Sequence, residues 1–119
     1  MFTYHLWVEI FGADDQAESN VSRIKDWLQE DRRSGVRALE WSNGVLHLHA
    51  SHSRNHVASE LNDLLRFVRA VGRDFPEAHG LLVASDDENE TDPVQVFVLR
   101  SGEVRVGPRI PELAAAILD

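Results

Sequence analysis

The sequence lacks cysteine altogether and contains a single lysine, Lys25. Without cysteine the chain can form neither a disulfide nor a thiolate metal ligand, which is typical of proteins that fold in a reducing compartment. The N-terminal apolar run contains His5 and Glu9 and has no basic residue before it, so neither a signal peptide nor a membrane span is predicted. We therefore expect a cytoplasmic protein.

The sequence also lacks the short motifs that usually mark an enzyme or a nucleic-acid-binding protein. It has no glycine-rich phosphate-binding loop, no nucleophile elbow and no basic stretch interleaved with aromatic residues. Its 20 acidic residues outnumber the 12 basic ones, and the net charge of −8 disfavours binding to nucleic acid or to an anionic membrane. A basic protein is the partner that this charge favours.

What the chain does contain is the composition of an ordinary globular domain. Of its 119 residues, 43% are hydrophobic and 27% are charged. Chains of this length usually form one domain with a single core. We therefore expect residues 1–119 to form a single domain.

An Asn-Gly pair at residues 43–44 is the strongest local indication of fold. Asn-Gly favours the positive φ angles of a two-residue hairpin turn, so residues 36–41 and 45–50 are predicted to be paired antiparallel strands. Because side chains alternate along a strand, the second strand has an apolar face and a polar face, and the polar face carries His47 and His49.

Two stretches with apolar residues every three or four positions predict amphipathic helices. The first lies between Gly12 and Gly35, with Asp15 and Glu18 as a capping box. The second begins near residue 57, with Ser53 or Asn55 as its N-cap, and ends at Phe75-Pro76 because proline disfavours a helical residue before it. The apolar stripes are Ala17, Val21, Ile24 and Leu28 in the first helix and Leu61, Leu64, Leu65, Val68 and Val71 in the second.

Four further strands are predicted at residues 1–11, 80–85, 94–99 and 104–106, and a short helical turn at 112–118. The run at 80–85 is almost wholly apolar, which predicts a strand that is buried on both faces or lies at the centre of the sheet. The predicted order is β-α-β-β-α-β-β-β. This is an α+β domain in which a mainly antiparallel sheet carries two helices on one face.

Trp7 lies between His5 and Glu9 on the second, more polar face of the first predicted strand. An aromatic residue in that position is either covered by another part of the fold or contacts a partner. An uncovered Trp7 is also compatible with a regulatory domain that self-associates.

Four of the six histidines, His47, His49, His52 and His56, lie within ten residues. Imidazoles two residues apart on a strand share a face, so a metal site is one interpretation, and a small metal-dependent hydrolase is the alternative function. The chain has no HExxH motif, and we favour a polar sheet face with His56 orienting the turn through Asn55. No metal or cofactor is expected.

Five carboxylates occupy residues 86–92: Asp86, Asp87, Glu88, Glu90 and Asp92. The run has no internal glycine of the kind that a calcium-binding EF-hand loop needs, and a loop between two strands is a poor support for paired catalytic carboxylates. Two interpretations remain, a loop that is simply solvated and a loop that steers a basic protein partner.

Six short motifs connect the chain with a known family. They are Phe2-x-Tyr4-His5-x-Trp7, Asn43-Gly44, Asn55-His56, Gly80-Leu81-Leu82, Asp86-Asp87-Glu88 and Arg100-x-Gly102-x-Val104. In their order and spacing they resemble the immunity protein 7 family, small antitoxins of bacterial polymorphic toxin systems. The resemblance runs from Met1 to about Val106. Ala78-His79-Gly80 and residues 107–111 depart from the family's usual sequence, which affects the identity of the partner more than the fold.

The resemblance implies a non-catalytic antitoxin that binds and blocks a cognate toxin domain in the producing bacterium. A nuclease is one candidate toxin, because an acidic inhibitor can occupy a basic substrate groove. The faces and charges of the chain itself predict the toxin-binding residues. They are Asp86, Asp87, Glu88, Glu90 and Asp92 on the acidic loop, and Trp7, His5, His47 and His49 on the sheet. The sequence leaves the oligomeric state open.

Overall fold

The elements of secondary structure follow one another in the predicted order, so the α+β fold class is confirmed. The computed structural model describes residues 1–13, 18–30, 35–54 and 60–109. The helices are α1 (Glu18–Glu30) and α2 (Glu60–Asp74). The strands are β1 (Phe2–Ile10), β2 (Val36–Ser42), β3 (Val45–Arg54), β4 (His79–Asp86), β5 (Val94–Arg100) and β6 (Glu103–Val106).

The strands form one six-stranded sheet in the order β2-β3-β1-β4-β5-β6. Every neighbouring pair is antiparallel. The first strand of the chain therefore lies near the centre, hydrogen-bonded to β3 on one side and to β4 on the other. Phe2, for example, is paired with both Arg54 and Asp86.

Both helices contribute to a core on one face of the sheet. Every second side chain of β1 points into this core, because side chains alternate between the two faces of a strand. In α2, apolar residues three or four positions apart lie on one side of the helix and form the other wall of the core. The buried residues of β1 are Phe2, Tyr4, Leu6, Val8 and Ile10, and those of the α2 stripe are Leu64, Leu65, Val68 and Val71. Val21 and Ile24 of α1 are also buried.

An aromatic stack joins the two helices. Trp27 of α1 and Phe67 of α2 lie with ring centroids 3.7 Å apart and planes 5° from parallel. On β2, Arg37 places its guanidinium 5.2 Å from the Trp27 ring and donates a hydrogen bond to the Leu28 carbonyl. The edge strand β2 is thereby linked to α1 by a cation–π contact as well as by a hydrogen bond.

Two tight turns have the positive φ angles that a primed hairpin turn requires. In the β2–β3 hairpin φ is 52° at Asn43 and 76° at Gly44, which confirms the predicted turn. The β5–β6 hairpin has the same arrangement, with φ of 54° at Ser101 and 76° at Gly102. Both turns set the register of the strands that they connect.

Strand β3 corrects two of the predictions. It continues to Arg54 rather than ending at residue 50, because its second half pairs with the beginning of β1. Ser53 is therefore a strand residue whose hydroxyl lies 3.0 Å from that of Thr3, and it does not cap α2. The alternative cap Asn55, together with Asp15, His56 and the helical turn at 112–118, lies outside the described residues.

Strand β4 corrects a third prediction in part. The sequence predicted that it is either buried on both faces or at the centre of the sheet, and it lies at the centre. It is not buried on both faces, because Leu81 is 37% exposed while Leu82 and Ala84 are buried. Neither α1 nor α2 has the length and apolar character needed to cross a membrane.

Candidate protein-binding surface

The face of the sheet opposite the core is the candidate functional site, and we call it the open face. Strand pairing and alternation of burial assign its residues. They are Thr3, His5, Trp7 and Glu9 of β1, His47, His49 and Ser51 of β3, His79, Leu81 and Val83 of β4, and Val96 and Val98 of β5. Within the described residues, neither helix covers this face.

Trp7 lies in the middle of the open face. It is paired with His49 of β3 on one side and with Leu81 of β4 on the other, and its side chain is 37% exposed. A hollow of 240 Å³ beside it is lined by residues that include His5, Trp7, His49, Leu81 and Val83. An exposed indole next to an apolar hollow is the arrangement that protein interfaces use for their strongest contacts.

His79 supports Trp7 from the side. Its Nε2 lies 2.9 Å from Oε2 of Glu9, so a hydrogen bond connects β4 with β1 across the open face. The same imidazole meets the Trp7 ring edge-on at a centroid distance of 6.0 Å and lies 5.1 Å from the ring of Phe11. The indole is thus positioned by a polar pair that is itself anchored on two strands.

The structure brings the sequence-predicted sheet residues together. His5, Trp7, His47 and His49 all lie on the open face, and the rings of His47 and His49 are 6.4 Å apart and nearly parallel. Ala38 and Glu40 of β2 join these two histidines around a second, 280 Å³ hollow.

The metal site is not favoured. His52 lies on the other face of β3, where its ring is 6.4 Å from that of Tyr4, so it does not share a site with His47 and His49. His56 lies outside the described residues. Among the residues that the structure describes, no group of three or more histidine, aspartate or glutamate side chains is placed to hold a metal ion.

The acidic loop is built by its own side chains. Asp86 donates from its backbone N–H to the Pro93 carbonyl at 2.8 Å, which closes the ends of the loop. The Asp86 carboxylate accepts from the Glu88 N–H, and the Asn89 side chain accepts from the Asp92 N–H, both at 3.0 Å. Short polar side chains that bond to backbone two or three residues ahead stabilise such turns.

Part of the loop's charge is already paired. Asp87 forms an ion pair with the Met1 amino group, and Asp92 forms one with Arg109, whose Nε lies 3.2 Å away. Along β4 the loop begins five residues from Leu81, the neighbour of Trp7, which corresponds to about 17 Å. A partner that buries about 800 Å² on each side of an interface is large enough to touch both.

The comparison with family models matches residues 1–109 with the model of immunity protein 7. The chain belongs to the immunity protein 7 family. Comparisons with curated proteins and with solved structures found no match. Membership implies an immunity protein, which is an antitoxin, and a cognate toxin protein as its binding partner.

The open face of this immunity protein includes residues that the sequence did not identify. Leu81, Val83, Val96 and Val98 form an apolar band beside Trp7, and the Glu9–His79 pair borders it. The alternation of valines at 94, 96 and 98 was a local indication of an apolar face. Which strands lie beside β1, however, is decided by tertiary pairing and not by local pattern.

Proposed function

We propose that this immunity protein is a non-catalytic inhibitor that binds its cognate toxin domain through the open face, in the cytoplasm of the producing bacterium. The observation that carries the proposal is the position of Trp7, exposed in the middle of a sheet face that α1 and α2 leave uncovered. An exposed aromatic residue beside an apolar patch is a common anchor of a protein interface.

The apolar band provides the affinity in this proposal. Leu81 is 37% exposed, and Val83, Val96 and Val98 are half-buried around it. Burying such a band against a toxin removes apolar surface from water, which contributes roughly 25 cal/mol for each Å². The histidines His5, His47 and His49 would form a polar border to this contact.

The acidic loop provides the electrostatic attraction. Asp87, Glu88 and Glu90 are exposed, and the net charge of the chain is −8. A basic toxin would be drawn to this end of the sheet and would dock more often in the correct orientation. A nuclease fits this requirement, because its substrate groove must be basic to hold phosphates.

The test uses a candidate toxin domain, which is sought among the genes next to the gene for this chain. Co-expression should restore growth to cells that carry the toxin, and the purified pair should form a complex. In the matched variants Leu81→Glu places a charge on the open face, and Val106→Glu places the same charge on an edge-strand residue that is 76% exposed on the core side of the sheet. Loss of growth and of complex only with Leu81→Glu supports the proposal.

Two other outcomes contradict the proposal or the choice of toxin. If Leu81→Glu is folded by circular dichroism and still protects cells as well as Val106→Glu does, the toxin binds elsewhere. If the unmutated chain neither protects cells nor binds, that toxin is not its partner.

A further inference from the structure

A second concave site lies away from the open face, between α2 and the β5–β6 hairpin. Three arginines of α2, Arg66, Arg69 and Arg73, line a cleft of 640 Å³ together with Gly102, Glu103 and Val104 of the hairpin region. Residues separated by three, four and seven positions lie on one face of a helix, so the three guanidinium groups border the same space. We call this space the arginine cleft.

The cleft is positively charged in a chain that is acidic overall. Its lining contains three arginines and one carboxylate, whereas the whole chain has a net charge of −8. Guanidinium groups placed side by side repel each other unless an anion lies between them. The local charge therefore favours a negatively charged ligand.

Two of the nearby carboxylates, Glu103 and Asp74, are engaged with arginines outside the cleft, and Asp63 contacts only the first of the three cleft arginines. Oε2 of Glu103 lies 2.7 Å from Nη2 of Arg105, and Asp74 lies 3.1 Å from a guanidinium nitrogen of Arg23. Asp63 lies 3.7 Å from Arg66. Within the described residues, Arg69 and Arg73 have no ion pair with any carboxylate.

The wall of the cleft is held firmly against the helix. Gly72, the residue before Arg73, is buried against the hairpin, and a Cβ at this position would lie 2.8 Å from Leu99 Cδ1 and 3.3 Å from the Gly102 carbonyl oxygen. This close approach depends on the missing side chain. The hairpin and the arginine-bearing turn of α2 are therefore in close contact, and the exposed side chains of Arg66, Arg69 and Arg73 extend from this fixed base.

We propose that the arginine cleft binds an anion made of several linked phosphate groups, as in a nucleoside triphosphate or an inorganic polyphosphate. Arginine binds phosphate oxygens through two parallel N–H groups, which favours phosphate over a simple halide. Arg66 and Arg73 are seven residues apart, so their helix positions are separated by about 10 Å. A chain of phosphates can follow the three arginines along the helix, whereas a single orthophosphate would require all three side chains to converge on one point.

The experiment measures binding of sodium tripolyphosphate, ATP and orthophosphate to the full chain by calorimetry at constant ionic strength. The test variant is Arg69→Gln/Arg73→Gln. The matched control is Lys25→Gln/Arg100→Gln, which removes the same charge from two exposed basic residues that do not line the cleft. Circular dichroism checks that both variants fold.

The proposal requires tripolyphosphate to bind more tightly than orthophosphate. The test variant should lose at least about tenfold in affinity, since it removes two charge-assisted contacts, and the control should change by no more than about twofold. Tighter binding of ATP than of tripolyphosphate identifies a nucleotide as the source, and the reverse order identifies an inorganic chain. Equal loss in both variants, equal binding of orthophosphate, or no binding of tripolyphosphate and ATP overturns the proposal.

Discussion

Glu9 and His79 are joined by a hydrogen bond of 2.9 Å that crosses from β1 to β4 beside Trp7. The two residues are also partners in the backbone pairing of β1 with β4, so the strands are joined without this bond. What the side-chain bond adds is a fixed position for the imidazole. That imidazole is the one that meets both Trp7 and Phe11. The pair thus holds an imidazole against one edge of the indole on the open face.

We expect the Glu9–His79 pair to contribute little to global stability. Glu9→Gln and His79→Gln should each change the free energy of unfolding by at most about 1 kcal/mol, because both side chains are partly exposed and such pairs are screened by water. Urea denaturation of both single variants and of the double variant measures their coupling. A loss of several kcal/mol would show that the pair supports the fold as well as the surface.

Replacing Gly44 by valine should destabilise the protein by about 1 kcal/mol or more. Gly44 has a φ of 76°, and a β-branched side chain is strained there. Gly44→Asn is the matched control, since asparagine tolerates positive φ, and it should cost less than the valine. Thermal melting measures both, and equal melting temperatures of the valine variant and the parent would contradict the prediction.

Leu64→Ala should cost roughly 2–5 kcal/mol of unfolding free energy, as truncations of core leucines do. Leu64 is 3% exposed and lies on the face of α2 that packs against the sheet. Asn62→Ala, at an exposed position of the same helix, serves as the control and should stay within about 0.5 kcal/mol. If chemical denaturation gives the two variants the same unfolding free energy, the apolar stripe of α2 faces water instead of the sheet.

Trp7→Ala should mainly speed dissociation of the toxin complex. An anchor of this kind typically contributes at least about 2 kcal/mol, or roughly a thirtyfold loss in affinity. Trp41→Ala is the matched control, because Trp41 is 54% exposed and lies on the core side of the edge strand β2. Surface plasmon resonance gives both rates, and sedimentation of the free protein shows whether a second copy occupies the same face.

Neutralising the acidic loop should mainly slow association with the toxin. The double variant Glu88→Gln/Glu90→Gln removes two exposed carboxylates but leaves Asp87, which pairs with the Met1 amino group, and Asp86 and Asp92, which take part in the hydrogen bonds that shape the loop. The difference from the parent should shrink as salt shortens the Debye length from about 10 Å at 0.1 M to about 3 Å at 1 M. If the association rate changes neither with the substitutions nor with salt, the loop is not part of the binding surface.

Much of the fold follows from local pattern. Asn43-Gly44 predicts a hairpin because few other pairs tolerate its φ angles, and the apolar spacing of Leu64, Val68 and Val71 predicts a helix with a buried side. The second half of β3 could not be predicted in this way. Residues 51–54 are polar, and they form a strand because the beginning of β1 supplies their hydrogen-bond partners.

In the candidate site, too, local pattern predicts some features and tertiary pairing decides the others. Alternation along one strand places His47 with His49, and His5 with Trp7, on shared faces. The neighbours of Trp7 depend on which strands flank β1, and no local property of the chain encodes that Leu81 is one of them. The metal interpretation, which was not the favoured one, needed His52 to approach His47 and His49 from a turn, whereas β3 continues through His52 and places it on the opposite face.

The central position of β1 also has a consequence for the order in which a newly made chain can fold. Strand β1 is made before both of its neighbours, and it can pair with them only when residues 46–54 and then 79–86 have followed it. Contacts between residues this distant in sequence form slowly compared with local ones. A partly synthesised chain that ends before β4 therefore lacks the central β1–β4 pair, and Trp7 has a strand on only one side of it until residues 79–86 have been made.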